Sequence, residues 1–334
     1  MTPANSWPRI AVVGAGAVGA YFGARFAHAG APVIMIGRRP FVEAVERDGL
    51  RIEGLSEPLR LRPPVSTELS AAREAELVLF CVKTIDTLST ARALAQYLHA
   101  DTLVLSLQNG VDNAAQIRST GHVNTLAAAV YVALATPSPG HVRHFGRGDL
   151  VVGPDAAPAA QVASVCARAA IACRITDNIE GELWSKLLMN CALNALSALG
   201  QTHYARLLAC PPIDSMIETV VAEVLAVARA ANVQLPGALE GAGAVAAVRR
   251  LVAQMPQQRS SMAQDLARGR RTEIDALNGY VQRRGAELHV PTPANQALFA
   301  LIRLAESAPE PTARPSAAAV RAGGRARAPD RSDD

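Results

Sequence analysis

The chain has 334 residues, and its 33 Lys and Arg residues against 29 Asp and Glu residues give a formal net charge of +4 at pH 7. Half of the residues are hydrophobic and 19% are charged, a composition that excludes a mostly disordered chain. The small, scattered excess of positive charge gives no reason to expect nucleic acid as a partner. The length predicts two domains, each large enough to bury a core.

Cysteine usage and hydropathy predict a compartment. The five cysteines are an odd set without a CxxC pair: Cys81, Cys166, Cys173, Cys191 and Cys210. They predict reduced, buried thiols rather than disulfides or a zinc site. No stretch reaches the roughly 18 uninterrupted apolar residues of a membrane span, and the start of the chain lacks the pattern of a signal peptide. The sequence therefore predicts a cytoplasmic protein with no membrane partner.

The first part of the chain alternates short apolar runs with helical patterns. The runs predicted as strands cover residues 9–13, 33–36, 77–82, 102–107, 126–132, 150–153 and 173–176. Strands that alternate with helices predict a largely parallel sheet covered on both faces, which is the doubly wound α/β class. We assign this Rossmann-type domain to residues 1–177.

From residue 178 onward the pattern is helical, with prolines between the segments. The predicted helices cover residues 178–200, 213–231, 238–255, 261–288 and 295–305. We assign an all-α domain to residues 178–307. Residues 308–334 are rich in Pro, Ala, Gly and Arg, and they predict a disordered tail whose deletion leaves folding and turnover nearly unchanged.

A glycine-rich turn follows the first predicted strand and opens the first helix, with the sequence Gly14-Ala15-Gly16-Ala17-Val18-Gly19. Such glycines permit a tight turn, a close approach of backbone to pyrophosphate, and close helix–strand packing. The helix N-terminus offers free N–H groups and a positive dipole end to the phosphates. The strand, helix and second strand stand at the expected spacing, so the turn predicts a dinucleotide site.

The end of the second predicted strand indicates which dinucleotide binds. Enzymes that use NAD usually carry Asp or Glu there, whereas this chain has Gly37, Arg38 and Arg39 and no nearby acid. A guanidinium can bind a 2′-phosphate through two hydrogen bonds, so the sequence favours NADP. Arg38 is the first candidate, and the sequence does not distinguish it from Arg39. A solvated loop with two surface arginines is the alternative.

Two polar residues follow later strands of the predicted sheet. Lys83 comes just after the run at 77–82, and Asn109 comes after the run at 102–107. Ligands of doubly wound sheets lie outside the carboxyl ends of the strands, so both residues face the expected crevice. The pair Asn109-Gly110 is also an ordinary turn signal.

A polar stripe runs along the helix predicted at 178–200. Lys186, Asn190 and Asn194 are spaced at i, i+4 and i+8, which stacks them on one face of an otherwise apolar helix. Lysine is rare in this chain. Of the 33 Lys and Arg residues, 31 are arginine and only Lys83 and Lys186 are lysine. The stripe indicates either a hydrogen-bonded contact with the other domain or a substrate-facing acid with two orienting amides.

These motifs, in this order, resemble the ketopantoate reductase (2-dehydropantoate 2-reductase) family. The resemblance runs from GAGAVG through CVKT, LQNGVDN and LWSKLLMNCALNALSAL to SSMAQDLARGRRTEIDALNG, and it extends to about residue 305. It implies an NADP-binding Rossmann domain, a helical second domain, and an active site in the cleft between them.

The resemblance also implies roles for single residues. Lys186 matches the general acid of the family. The residues that match its substrate contacts are Asn109, Asn190, Asn194, Ser261 and Glu273. Lys83 matches a lysine of the cofactor crevice of the family. The predicted cofactor contacts also include Asn109, Glu273 and the glycine turn.

Some of these residues have structural alternatives. Ser260 or Ser261 could cap the helix that begins there, and Glu273 could pair with Arg270 or Arg271. His141 and His144 form an HxxH pair in a Gly- and Pro-rich turn, and no metal site is predicted there.

The sequence therefore predicts an NADPH-dependent reductase that converts ketopantoate to pantoate, with Lys186 as proton donor. The sequence leaves the oligomeric state open, with a homodimer as one alternative. The alternatives are a reductase of another branched 2-keto acid and an NADP-binding sensor without turnover.

Overall fold

The computed structural model describes residues 6–122, 124–154, 156–239 and 241–307. Within these ranges ten strands form one mixed sheet. The strands are β1 (Ile10–Val13), β2 (Val33–Ile36), β3 (Leu50–Glu53), β4 (Leu59–Leu61), β5 (Val65–Ser66), β6 (Leu77–Phe80), β7 (Leu103–Ser106), β8 (Thr125–Ser138), β9 (His141–Gly153) and β10 (Cys173–Ile175). Their order is β4-β3-β9-β8-β7-β6-β1-β2-β5, and β10 pairs with β9.

The helices divide between the two halves of the chain. Those of the first half are α1 (Ala17–His28), α2 (Arg39–Asp48), α3 (Thr87–Ala95), α4 (Asn113–Arg118) and α5 (Ala157–Arg168). Those of the second half are α6 (Ile179–Leu199), α7 (Tyr204–Leu208), α8 (Pro211–Ala230), α9 (Ala242–Gln254), α10 (Ser261–Leu266), α11 (Asn278–Glu287) and α12 (Pro293–Ser307). Short 3₁₀ turns lie at Leu69–Ala72, Thr84–Asp86, Gly237–Leu239 and Ile274–Ala276.

The parallel core of the sheet confirms the predicted doubly wound architecture. Strands β5, β2, β1, β6, β7 and β8 run parallel, and the four residues of β1, β6 and β7 are all buried. Strands buried on both faces require continuous apolar runs, which is why the sequence pattern located them. Strands β3, β4 and β5 were missed because they are two to four residues long and two of them alternate with charged residues.

The antiparallel ribbon of β8 and β9 is longer than predicted. It continues to a two-residue turn at 139–140, so His141 and His144 lie in β9 rather than in a loop. His141 Nε2 lies 3.0 Å from Glu53 Oε2 on the adjacent β3. Among the described residues no group of three metal-ligating side chains is found.

Two large hydrophobic cores lie in the two halves of the chain. The first packs α1 and α5 against the sheet, with Phe22, Phe26 and Leu79 among its fully buried side chains. The second surrounds α6, whose Trp184 and Leu188 are almost completely buried. Helix α6 is therefore the central element of the helical half, and it also contacts β8 and β9.

The single helix expected over residues 261–288 is wrong. Helix α10 ends after six residues, because Gly269 adopts a left-handed conformation (φ 61°) and the chain reverses there, with Arg270 N–H donating to Asp265 O at 2.9 Å. A 3₁₀ turn and α11 follow. This break releases Glu273 from helical geometry and leaves its side chain free to reach the sheet domain.

The five cysteines differ in burial. Cys166 and Cys191 are buried, as predicted, whereas Cys81 and Cys173 are partly exposed and Cys210 is exposed, so the prediction of five buried thiols is wrong at Cys210 and holds only in part at Cys81 and Cys173. In the part of the chain that the structure describes, no helix has the length and apolar character needed to cross a bilayer. The predicted tail at 308–334 lies outside the described residues.

Candidate active site

The glycine turn between β1 and α1 has the packing of a phosphate-binding turn. Gly14 adopts φ 94°, and a Cβ atom there would lie 2.6 Å from the Val82 nitrogen. A Cβ atom on Gly19 would collide with the Gly14 carbonyl and with Val12. A Cβ atom on Gly16 would meet nothing within 4 Å. Gly14 and Gly19 are thus required by the fold. Gly16 faces open space, where a ligand can approach the protein backbone closely.

The free donors of this turn belong to the first residues of α1. The N–H groups of Gly14 and Ala15 both donate to Ile36 O, and Gly16 N–H donates to Gly14 O. The first helical bond runs from Ala20 N–H to Gly16 O at 2.8 Å, so the N–H groups of Ala17, Val18 and Gly19 precede it. No side chain caps the helix and its first turn holds no acid. This N-terminus therefore fits the pyrophosphate of a dinucleotide.

Arg38 and Arg39 lie just beyond β2, where the ribose of such a dinucleotide is expected. Both are exposed, and Arg38 keeps 88% of its side-chain surface in solvent. Its Nη2 lies 3.4 Å from Asp86 Oδ2, a surface contact that stabilises little. Either guanidinium is available to a 2′-phosphate.

The carboxyl ends of β6 and β7 meet Glu273 from the helical half. Asn109 Nδ2 donates to Glu273 Oε2 at 2.9 Å, and the Thr84 N–H donates to Oε1 at 3.2 Å. The Thr84 hydroxyl donates to Asn109 O at 2.9 Å, which ties the two strand ends together. Glu273 therefore lies in the cleft between the two halves, rather than pairing with Arg270 or Arg271 as the structural alternative required.

Lys83 also connects the two halves. Its Nζ lies 2.7 Å from Asp265 Oδ2 on α10 and donates to Arg271 O at 3.0 Å. Burial raises the pKa of Asp265, and the Lys83 ammonium partly opposes that rise. Lys83 thus lies at the predicted crevice, with its charge already paired across the cleft.

Lys186 lies in the middle of α6, half-buried in the cleft. Asn178 caps this helix, since its side chain accepts from Gly181 N–H at 2.9 Å. Among the described residues Nζ makes no hydrogen bond or ion pair. Burial lowers the pKa of Lys186 to about 8; the Glu273 carboxylate opposes this shift and the Arg147 guanidinium adds to it. An unpaired ammonium with a pKa of about 8 is suited to proton donation.

The two asparagines of the stripe differ in their surroundings. Asn190, one turn after Lys186, is half-buried, and its amide makes no hydrogen bond to the described residues. Asn194 is buried, its Oδ1 accepts from the Tyr204 hydroxyl at 3.3 Å, and its backbone oxygen accepts from Ser260 Oγ. Asn190 is therefore open to a ligand, while Asn194 is partly engaged in holding the helical half together.

Ser260 is the helix cap, and Ser261 is not. Ser260 Oγ accepts from Ala263 N–H at 3.0 Å at the start of α10. The Ser261 hydroxyl is exposed and makes no hydrogen bond to the described residues. The capping alternative therefore applies to Ser260 and leaves Ser261 available.

Comparison with known proteins identifies the family. Two sequence models match the chain, "Ketopantoate reductase PanE/ApbA" over residues 10–157 and "Ketopantoate reductase PanE/ApbA C terminal" over residues 178–306. The chain belongs to the ketopantoate reductase PanE/ApbA family. The family resemblance predicted from the motifs is thus confirmed.

Individual relatives cover nearly the whole chain. A 2-dehydropantoate 2-reductase of Halobacterium salinarum is 33% identical over 305 residues, which are 89% of this chain and 99% of the relative. The crystal structure of a PanE/ApbA family ketopantoate reductase from Ralstonia eutropha JMP134 is 48% identical, with a TM-score of 0.83, and covers 89% of this chain and 98% of that one. The ternary structure of D-mandelate dehydrogenase with NADH and anilino(oxo)acetate is 25% identical, with a TM-score of 0.82 and the same two coverages.

Several residues of this family member's cleft were not singled out from its sequence. Thr84 donates to Glu273, Asp265 pairs with Lys83, and Tyr204 donates to Asn194. The Arg147 guanidinium contributes to the lowered pKa of Lys186. The contacts of Thr84 and Asp265 join elements more than 180 residues apart, and the contact of Tyr204 joins two consecutive helices, so no helical or strand spacing reveals them. The glycines on both sides of Arg147 were a usable signal, because isolated glycines within a strand pattern indicate a bulge.

Proposed function

We propose that this member of the ketopantoate reductase family catalyses the NADPH-dependent reduction of ketopantoate (2-dehydropantoate) to pantoate. The observation that carries the proposal is Lys186, an unpaired, half-buried ammonium of lowered pKa, in the same cleft as Glu273 and Asn109 and bounded by a dinucleotide-binding turn. Relatives with this name that cover nearly the whole chain support the substrate.

NADPH, when bound, supplies the hydride for the C2 carbonyl. We propose that Gly14, Ala15, Gly16, Ala17, Val18 and Gly19 form its pyrophosphate turn, with the donors of Ala17, Val18 and Gly19 facing the phosphates. Arg38 is proposed to meet the 2′-phosphate. Lys83, Asn109 and Glu273 border the remaining part of the crevice.

Lys186 is proposed to hydrogen-bond the carbonyl oxygen, stabilise the charge that develops on it, and deliver the proton. Glu273 is proposed to accept a hydrogen bond from a substrate hydroxyl. Its two oxygens accept from Asn109 and Thr84 and still have free lone pairs. Asn190, Asn194 and Ser261 are proposed to orient the substrate, with Asn190 and Ser261 the more accessible of the three.

The test is an assay of NADPH oxidation with ketopantoate, followed through the loss of NADPH absorbance. We expect turnover that depends on both compounds and a chiral pantoate product. NADPH binding without oxidation by any 2-keto acid would instead support a sensor.

A second candidate is the reduction of another 2-keto acid. It is favoured by the similarity to D-mandelate dehydrogenase, whose ternary structure contains the 2-keto acid analogue anilino(oxo)acetate. Steady-state rates on a panel of branched and aromatic 2-keto acids distinguish the two candidates, because the natural substrate has the highest kcat/KM.

We propose that the enzyme is cytoplasmic. We also propose that it consists of a Rossmann domain at residues 1–177 and a helical domain at residues 178–307. A homodimer is supported by the exposed leucines of α12, Leu301 and Leu304. Size-exclusion chromatography with light scattering tests it.

A further inference from the structure

A chain of buried polar side chains lies at the carboxyl ends of β6 and β7. Its members are Thr87, Ser106, Gln108 and Asn113, and all four are buried. Thr87 begins α3 and Asn113 begins α4, so each of the helices that follow β6 and β7 contributes one residue. Burying a polar side chain is costly unless it is hydrogen-bonded, so the partners of these residues show what the chain holds in place.

Four consecutive hydrogen bonds run in one direction through this chain. Ser106 Oγ donates to Gln108 Oε1 at 3.0 Å, and Gln108 Nε2 donates to Thr87 Oγ1 at 2.7 Å. Thr87 Oγ1 donates to Asn113 Oδ1 at 3.1 Å, and Asn113 Nδ2 donates to Asn109 O at 2.6 Å. Consecutive hydrogen bonds of one polarity strengthen one another. The chain is therefore a firm connection between the end of β7 and the backbone of Asn109.

The backbone carbonyl of Asn109 needs such a connection, because a glycine follows it. Gly110 adopts φ 99°, and a residue without a side chain restrains the peptide plane before it only weakly. The Asn109 carbonyl also accepts from Thr84 Oγ1 at 2.9 Å, so both of its lone pairs are occupied. A Cβ atom on Gly110 would lie 3.2 Å from Asn113 Nδ2 and 3.4 Å from Ala276 Cβ. The loop is thus held by the buried chain on one side and packs closely against the helical half on the other.

The side chain of Asn109 connects this held backbone to Glu273. Its Nδ2 donates to Glu273 Oε2 at 2.9 Å, while Glu273 Oε1 accepts from the Thr84 N–H at 3.2 Å. Glu273 is half-buried, and within the described part of the chain its carboxylate forms no ion pair. The direction of the carboxylate therefore depends on where Asn109 and Thr84 hold its two oxygens.

We propose that Thr87 and Asn113 are positioning residues for Glu273. They hold the Asn109 carbonyl, and the Asn109 amide then directs the Glu273 carboxylate toward the substrate hydroxyl. Both residues are buried and act only through Asn109, so they affect how well the site distinguishes a hydroxylated 2-keto acid from one without the hydroxyl. This inference rests on the proposed function and names the residues that support the specificity of its site.

The experiment measures kcat/KM of the full-length enzyme, at saturating NADPH, for ketopantoate and for the analogue in which hydrogen replaces its hydroxyl group. Thr87→Val keeps the shape of the side chain but can neither accept from Gln108 nor donate to Asn113. We expect it to lower the ratio of kcat/KM for ketopantoate to kcat/KM for the analogue by about three- to tenfold, as for the loss of one hydrogen bond. Thr87→Ser keeps the hydroxyl and should change this ratio by less than about twofold.

Thr102→Val is the matched control. Thr102 is as buried as Thr87 (2% and 0% exposed), and its hydroxyl donates to Ala75 O at 2.9 Å at the amino end of β7, opposite the cleft. The same substitution there also removes a buried hydrogen bond, but it should leave the ratio unchanged. In a Glu273→Ala background, Thr87→Val should lower the ratio little further, because both changes act on the same contact with the hydroxyl.

An equal fall of kcat/KM for both acids in Thr87→Val, or no change for either, would overturn the positioning role. If Thr87→Val does not fold, Asn113→Ala decides: the same fall of the ratio is expected, and an unchanged ratio overturns the proposal. A wild-type enzyme that reduces both acids equally well would refute the role of Glu273 and this inference with it. Failure of the wild-type enzyme to reduce any 2-keto acid would instead refute the proposed function itself.

Discussion

Lysine and arginine are not interchangeable at position 186, although both are cations and the chain otherwise uses arginine almost exclusively. Burial lowers the pKa of Lys186 to about 8, which lets its ammonium release a proton near neutral pH. A guanidinium stays protonated above about pH 12 and is a poor proton donor. Lysine rather than arginine at this position therefore suits the proposed proton transfer.

We expect Lys186→Arg and Lys186→Ala both to lose about 10²–10⁴-fold in kcat, the usual contribution of a general acid. The Kd of NADPH should change little, because the proposed contact is to substrate. Stopped-flow or steady-state kinetics together with NADPH titration measure both quantities. A near-native kcat of the arginine variant would show that positive charge alone suffices.

The pH dependence of the wild-type enzyme follows from the same residue. Proton donation requires the ammonium form, so kcat should be high below the pKa of Lys186 and fall above about pH 8. Above that point the decline should approach tenfold per pH unit. A kcat profile that stays flat through pH 9 would argue that another group donates the proton.

Arg38 and Arg39 provide a matched pair for cofactor choice. Both are exposed beyond β2, but Arg38 reaches toward Asp86, the last residue of the 3₁₀ turn that follows β6. We expect Arg38→Ala to weaken NADPH binding by about 1.5–3 kcal/mol and to leave NADH binding nearly unchanged. Fluorescence titration of both cofactors with Arg38→Ala and Arg39→Ala checks this. Equal losses for the two cofactors would remove Arg38 from the 2′-phosphate site.

Among the elements, α6 depends on its neighbours for its exact position. Asn278 Nδ2 donates to Cys191 O on α6 at 3.2 Å and to Asn295 Oδ1 at 3.0 Å. Glu223 of α8 in turn accepts from the N–H groups of Ala294 and Asn295 at 2.8 and 2.9 Å. A buried polar network thus connects α8, α11 and α12 to α6 next to Asn190.

We expect Glu223→Ala to lower the free energy of unfolding by about 2–4 kcal/mol, because it leaves buried N–H donors at the start of α12 without an acceptor. Glu218→Ala is the matched control on the same helix, where an exposed ion pair with Arg249 contributes less than about 1 kcal/mol. Chemical denaturation followed by circular dichroism measures both. Similar small losses in the two variants would show that water replaces the Glu223 carboxylate.

For the whole molecule, the two halves are joined at the cleft by ionic and hydrogen-bonded contacts. Lys83 and Asp265 form one of these contacts, and Glu273 with Asn109 and Thr84 forms another. The proposed active site therefore draws residues from both halves, and its geometry depends on how they are held together.

A double-mutant cycle on Lys83 and Asp265 tests this dependence. We expect Lys83→Ala and Asp265→Ala each to reduce kcat/KM for the 2-keto acid, and the double variant to be little worse than either, since both remove the same pair. Strictly additive losses would mean that the two residues act independently, for example if Lys83 leaves Asp265 to contact the cofactor.

Local pattern alone was enough for the elements that are buried on both faces. The apolar runs at β1, β2, β6 and β7, the glycines of the turn and the polar stripe of α6 are all readable from neighbouring residues. Their physical cause is local as well: a strand buried on both faces must be apolar, and a helix must repeat every 3.6 residues. Lys186 could also be recognised from its neighbours, since it is a charged residue in an otherwise apolar helix.

Only the tertiary structure decided what these residues contact. The left-handed Gly269 ends α10 and turns Glu273 toward Asn109, and the bulge at Arg147 depends on Tyr21 and His144, more than a hundred residues apart. Contacts with distant residues also distinguish the two serines and the two lysines: Ser260 Oγ donates to Asn194 O, and Lys83 Nζ pairs with Asp265. The pKa of Lys186 is set by burial and by charges from separate elements, so it is a property of the folded cleft and not of the local sequence.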